Sequence, residues 1–198
     1  MIKGLILAGG KSTRMGRDKS LIDYHGKPQR EFLFDLLLNF CAEVYVSCKE
    51  NAEVPEKLNP LPDLFDMDSP LNGILSAFTM DRSVAWLTVA VDMPLVDRQT
   101  LDYLVLNRDA QKVATCFRDS DGSKPEPLLS LWEPKAFPLL QSFYAEGNIS
   151  PRSFLQRRDV HLLSVPNKKI LTNVNSIEDL NQLKDSIDND SASKQVDK

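Results

Sequence analysis

The sequence predicts an α/β fold in which a mostly parallel sheet carries helices on both faces. Three observations lead there. Strand-like apolar runs alternate with helical periodicities along the chain; the first run, Ile2 to Leu7, feeds directly into Ala8-Gly9-Gly10; and a second buried run, Trp86 to Val91, ends at Asp92-Met93-Pro94. Such alternation favours parallel pairing with helical crossovers, and 198 residues suit one domain with a sizeable core.

The elements follow in order. Ile2 to Leu7 is apolar enough for a buried strand, and the glycines after it signal a turn. From Gln29 to Phe40, residues Phe32, Leu33, Leu36, Leu37 and Phe40 recur at helical spacing, and Val44-Tyr45-Val46 reads as the second strand of a βαβ unit. A helix is expected from Pro70 to about Met80, capped by Ser69, before the strand Trp86 to Val91. Helical patterns follow near Thr100 to Leu106, Lys135 to Phe143, Arg152 to Gln156 and Ile177 to Ile187, with strands expected at Val113 to Phe117, Leu128 to Leu131 and Val160 to Val165. One domain over 1–187 is expected, followed by a polar, aperiodic and disordered tail over 188–198. In open α/β sheets ligands bind outside the carboxyl ends of the strands. The loops after Leu7 and Val91 both fall at such ends.

Composition narrows the classes. Hydrophobic residues make up 42% and charged residues 26%, and no apolar run reaches the ~20 residues that span a bilayer, so no membrane association is expected. The N-terminus enters a strand at once without a signal-peptide pattern, which predicts a cytoplasmic protein. Cys41, Cys48 and Cys116 form no CxxC pair and read as reduced packing residues. A formal charge of -4 argues against nucleic-acid binding, which needs a concentrated basic surface. Any anion site must be local.

One local cluster exists: Lys11, Arg14, Arg17 and Lys19 fall within nine positions of a glycine-bearing segment. Gly10-Lys11-Ser12 imitates part of a Walker A loop, but the glycine required five positions earlier is Leu5. The GxGxxG order of a dinucleotide fold is also missing. Glycines admit backbone N–H groups close to an anion, and Arg14 and Lys19 can neutralise a triphosphate. Composition alone leaves an anion cradle and a structural turn equally open. Asp92 is a hard oxygen ligand at a strand end, suited to Mg²⁺; the alternative is a helix cap before Pro94.

The segment Leu7 to Lys19 resembles the LxGGxSxRMGxDK signature of the nucleotidyltransferases, most closely that of the molybdenum cofactor guanylyltransferases. Four later segments are similar to elements of the same family, in order: Pro70-Leu71-x-Gly73, Val91-Asp92-Met93-Pro94, Pro125-Glu126-Pro127-Leu128, and Asn173-Val174-Asn175-Ser176 followed by Glu178-Asp179-Leu180. Ser69 stands where the second element usually has glycine, and Val91 where the third has cysteine. The resemblance implies a three-layer Rossmann-like nucleotidyltransferase fold. It implies nucleotide contacts from Leu7, Ala8 and Gly9, a phosphate ligand in Lys19, and Mg²⁺ on Asp92; the loop's own chemistry adds Gly10 to the nucleotide contacts and Arg14 as a catalytic cation. Asp63, close to Asp66 and Asp68, corresponds in position to the family's nucleotide-contacting aspartate; Asn173 and Asn175 become acceptor-site residues. The family's asparagine after the second strand would fall near Ser47, which is not assigned.

What the resemblance implies chemically is GMP transfer from GTP to the terminal phosphate of Mo-molybdopterin, releasing pyrophosphate, with transient contact to molybdoenzyme maturation proteins. The attacking phosphate is already largely ionised at neutral pH, its second pKa being about 6, so no general base is needed. Rival readings are a cytidylyltransferase acting on molybdopterin or a sugar phosphate, and a non-catalytic cofactor-delivery subunit. Gly9 speaks against the first, because cytidine enzymes commonly carry alanine there and guanine is expected to lie against the bare backbone. His25 and His161 are isolated and receive no role, and no GxSxG elbow surrounds any serine. Arg152, Arg157 and Arg158 are open between a second phosphate site and a solvated helix face.

Overall fold

The computed structural model describes residues 1–9, 18–176, 178, 179, 181 and 183. Seven strands form one sheet in the order β3-β2-β1-β4-β6-β5-β7. They are β1 (Ile2–Leu7), β2 (Val44–Cys48), β3 (Pro60–Pro62), β4 (Ala85–Ala90), β5 (Ala114–Arg118), β6 (Pro125–Trp132) and β7 (His161–Leu163). The helices are α1 (Gln29–Leu37), α2 (Leu71–Met80), α3 (Arg98–Leu106), α4 (Ala136–Ala145) and α5 (Pro151–Gln156).

Every pairing is parallel except those of β6, which runs antiparallel to both β4 and β5. The expected mostly parallel, Rossmann-like sheet is thus present with one reversed strand. Its reversal comes from the turn Asp119 to Lys124, where Gly122 adopts φ +76 and Asp119 Oδ1 accepts N–H bonds from Ser123 and Lys124. Asp-Gly is a strong hairpin signal, and the sequence carries it at Asp121-Gly122. The small edge strand β3 is the other difference. Two prolines in three residues conceal a strand, yet an edge tolerates them because one side of the ladder needs no donors.

The chain moves from β1 outward to β2 and β3, then returns past β1 to β4. Right-handed crossovers in opposite directions place α1 and α2 on opposite faces. Arg98 at the start of α3 donates to Asn39 just after α1 at 3.2 Å, which ties α3 to the α1 side. Strand β4 is buried along all six residues, as a central strand covered on both faces must be. Trp86 on this strand and Trp132, Phe78, Phe117, Phe143 and Phe154 elsewhere in the core are fully buried.

Helix α2 begins one residue later than expected, and its cap position is Pro70, which offers no side-chain bond. Ser69 still contributes, since its hydroxyl accepts from the Leu71 N–H at 3.2 Å. All three cysteines are buried and free, as expected, and burial pushes the Cys41 and Cys116 thiols up to about 12. No helix among the described residues is long and apolar enough to cross a membrane. Of the helix expected over 177–187, residues 178, 179, 181 and 183 are described and are helical, while the tail over 188–198 lies outside the described residues.

One close approach fixes where α2 sits. A Cβ added to Gly73 would lie 2.3 Å from Ser47 Oγ, 2.9 Å from Ser47 Cβ and 3.0 Å from a Leu7 methyl. Gly73→Ala gains ~1 kcal/mol of helix propensity, yet the overlap should outweigh it, with overpacking of ~1–3 kcal/mol. A lower thermal midpoint for Gly73→Ala is expected; a midpoint at or above wild type would show that α2 can shift freely.

Candidate active site

The carboxyl ends of β1 and β4 flank the point where the chain's direction across the sheet reverses, and this is where such sheets bind ligands. Backbone bonds carry the ladder past the strand ends: Ala8 N–H donates to Ser47 O, Asp63 N–H to Cys48 O, and Val91 N–H to Leu7 O. The sheet order therefore lines up Asp63, Ser47, Gly9 and Asp92 along one edge. They bound a cavity of about 200 Å³ that Lys19 and Gly73 also line. Four adjacent strands at ~4.8 Å spacing separate Asp63 from Asp92 by roughly 14 Å. The cleft has two ends.

Lys19 and Asp92 occupy one end. Lys19 opens a 3-10 turn, Lys19–Leu21, which Asp18 caps by accepting from the Ser20 N–H at 2.9 Å. Asp92 Oδ1 is buried with no hydrogen-bond partner among the described residues. Burial pushes the Asp92 carboxyl up, and the Lys19 charge pulls it back. An unpartnered buried oxygen is costly unless something absent supplies its partner. Asp92 is not a helix cap: Asp97 caps α3, accepting from the Thr100 N–H at 2.8 Å.

A third segment closes this end. Val174 N–H donates to the Asp92 carbonyl at 2.8 Å, and Lys19 Nζ donates to Asn175 Oδ1 at 2.8 Å. Ser176 and Asp179 form a reciprocal cap, with Ser176 Oγ accepting from Asp179 N–H at 3.0 Å and Asp179 Oδ2 accepting from the Asn175 and Ser176 N–H groups. That cap fixes the Asn175 backbone so its amide can face Lys19. Asn173 Oδ1 is likewise buried without a partner among the described residues.

The other end is built around Asp63. Ser47 Oγ donates to Asp63 Oδ1 at 2.8 Å, and a Cβ on Gly9 would stand 2.6 Å from Asp63 Oδ2. Gly9 and Gly73 thus leave the room that the Ser47–Asp63 pair fills. Burial raises the Asp63 carboxyl, while the Ser47 hydroxyl and the Lys49 charge oppose that rise.

A cluster of three or more His, Cys, Asp or Glu side chains able to hold a metal is absent among the described residues. A protein-only cage is therefore not formed by them. One orphaned carboxylate oxygen opposite a lysine does fit the kind of cation that takes one or two carboxylates and completes its shell with substrate phosphates.

Of the residues assigned site roles from sequence, Leu7, Ala8, Gly9, Lys19, Asp63 and Asp92 line the cleft. Asn175 reaches it through Lys19 and Asn173 lies in the same segment; Gly10 and Arg14 lie outside the described residues. Ser47 and Gly73, which received no site role from sequence, also line the cleft. The signal for Ser47 is its place near the position of the family's asparagine after the second strand. Arg152 is already engaged, donating to Glu126 at 2.8 Å and Asp119 at 3.3 Å, which leaves it a structural tie between α5 and the β5–β6 hairpin.

Comparison with known proteins fits this geometry. Residues 4–162 match the sequence profile of the MobA-like NTP transferase domain. A molybdenum cofactor biosynthesis bifunctional protein of Synechocystis is 34% identical over 183 residues, covering 91% of this chain and 53% of that protein, so the chain spans about half of that relative. A molybdenum cofactor guanylyltransferase of Pseudomonas putida is 31% identical over 183 residues, covering 89% of this chain and 94% of its own. Among solved structures, molybdopterin-guanine dinucleotide biosynthesis protein A from Archaeoglobus fulgidus superposes with a TM-score of 0.78 at 22% identity, over 94% of this chain and 99% of that one. A likeness at that identity speaks for the fold. The profile match, which includes every residue lining the cleft and stops before the segment Asn173 to Asp179, and the relative that aligns over nearly its whole length together establish that this chain belongs to the MobA-like NTP transferase family and is a nucleotidyltransferase.

Proposed function

We propose that residues 1–187 act as one molybdenum cofactor guanylyltransferase domain, transferring GMP from GTP to the terminal phosphate of Mo-molybdopterin. The observation that carries this reading is the two-ended cleft, with the Asp63 carboxylate at one end and a cation beside an orphaned carboxylate oxygen at the other. An ionised carboxylate only accepts hydrogen bonds. Guanine offers two adjacent donors, N1–H and the 2-amino group. Cytosine and adenine offer one donor beside a ring nitrogen lone pair, which would face the carboxylate unfavourably.

With the base at Asp63, the phosphates extend toward Lys19 and Asp92. An oxygen of the acceptor phosphate attacks the α-phosphorus, and the bond to the bridging oxygen of pyrophosphate breaks. Mg²⁺ held by Asp92 would supply charge neutralisation on phosphate oxygens. Lys19 binds and orients the triphosphate, and its shared bond with Asn175 sets the acceptor segment beside the reacting end. Arg14 adds a second cation to the phosphates in this reading. No side-chain base is called for, because the attacking phosphate is already ionised. Transient delivery of the product to molybdoenzyme maturation proteins belongs to the same proposal.

Pyrophosphate release measured with each of the four nucleoside triphosphates, with and without molybdopterin, tests it. Release that needs both GTP and molybdopterin is expected; equal release with CTP would refute guanine selection. Lys19→Ala should raise the KM for GTP roughly tenfold or more through loss of a charged phosphate contact. An unchanged KM and unchanged turnover would remove Lys19 from the phosphate site.

A further inference from the structure

We propose that Ser47 is a positioning residue for base selection, holding the Asp63 carboxylate so that Oδ2 alone is presented to the base edge. This rests on the guanylyltransferase reading above and goes beyond it, since Ser47 stands where the family's pattern would place asparagine.

The geometry is specific to a small side chain. Ser47 is 2% exposed, and its hydroxyl lies in the gap left by the missing Gly73 side chain, where a Cβ would approach Oγ to 2.3 Å. From there it donates to Asp63 Oδ1 at 2.8 Å. The opposite oxygen, Oδ2, faces the missing side chain of Gly9. Four elements, the ends of β1, β2 and β3 and the first turn of α2, thus meet around one carboxylate, and among the described residues Ser47 is the side chain that donates to it. A hydrogen bond to one oxygen favours the rotamer that leaves the other oxygen toward the cleft. The carboxylate also keeps its charge more readily, because a donor to the ionised form favours that form.

Among the described residues, the charged and titratable groups around Asp63 are few. Lys49 lies beyond the end of β2, Cys48 is adjacent to Ser47, and Lys19, Asp68 and Asp92 stand around the cleft. Burial raises the Asp63 carboxyl, and the Ser47 hydroxyl opposes this more than the Lys49 charge does. Removing the hydroxyl lets the carboxyl rise further. As pH falls, Asp63 should then become protonated, and lose its acceptor character, at a higher pH than in the wild type.

The experiment compares kcat/KM for GTP and for ITP, which lacks the 2-amino group, across pH in the wild type, Ser47→Ala and Ser47→Cys. In Ser47→Ala the GTP-to-ITP ratio should fall roughly tenfold, with kcat at saturating GTP within about threefold of wild type, and the ratio should decline at a higher pH. Ser47→Cys, nearly the same size but a weaker donor, should fall between them and covers the case in which Ser47→Ala does not fold. An equal loss for GTP and ITP, with an unshifted pH profile, would overturn the positioning role and leave Ser47 a packing residue. A wild type that does not prefer GTP over CTP would overturn the guanine reading, and this inference with it; a wild type that prefers GTP while the variants keep its ratio sinks the inference alone.

Discussion

Asp92→Asn is expected to fold normally and to lose turnover by roughly 10² or more. The two effects have opposite signs for one reason. Asp92 Oδ1 is buried without a partner, and burial disfavours its charged form. The raised carboxyl means that the folded state holds the ionised group less readily than the unfolded chain does, so at neutral pH the charge detracts from stability. Asparagine keeps the shape and removes that charge. The thermal midpoint should therefore stay level or rise while activity collapses, a trade-off typical of functional sites. Metal titration followed by a binding signal gives a second readout, with weakened divalent-cation affinity in the presence of GTP. A variant that turns over near the wild-type rate would remove Asp92 from the reaction.

Gly9→Ala is expected to lower GTP turnover efficiency by roughly 5-fold to 150-fold, the kinetic equivalent of ~1–3 kcal/mol of overpacking. From sequence, the reason was a guanine ring lying against the bare backbone. The structure supplies a different first collision: the new methyl meets Asp63 Oδ2 at 2.6 Å. Either Asp63 swings away from its bond with Ser47 or the β1 loop retreats. Both outcomes disturb the base-reading end and leave Lys19 and Asp92 in place. The loss should thus appear mainly in KM for GTP, and the preference for GTP over CTP should narrow. A fall in kcat with KM intact would place the damage at the phosphate end instead, against this account. Circular dichroism on both proteins separates misfolding from either result.

Most of the cleft was legible because its residues sit in short motifs at strand ends, where spacing and resemblance agree. Leu7, Ala8, Gly9, Lys19 and Asp63 came from the family resemblance, and Asp92 from that resemblance together with the rule that ligands gather at the carboxyl ends of strands. Ser47 and Gly73 were different. Their importance lies in a contact between β2 and α2, elements that only the folded sheet brings together, and in a side chain that is missing. The same distinction explains the fold. Long apolar strands such as β1 and β4 announce themselves, whereas β3 is held by its neighbour β2 despite its prolines, and the direction of β6 is decided by a tight turn. Arg152 shows the reverse case. An arginine in a polar stretch invites a phosphate, but Glu126, itself 3% exposed on β6, already claims it.

The bond between Lys19 and Asn175 joins residues 156 positions apart. Contacts of such separation close late, because a long loop must be ordered before they contribute. During synthesis, strands β1 to β4 and the Ser47–Asp63 pair are all available long before Asn175 emerges, since domains assemble from the N-terminal side as they are made. The nucleotide's base end is therefore laid down early, and the acceptor segment is added to it near the end of translation. A ribosome-bound chain would pass through a stage that can recognise the nucleotide before it has the means to spend it.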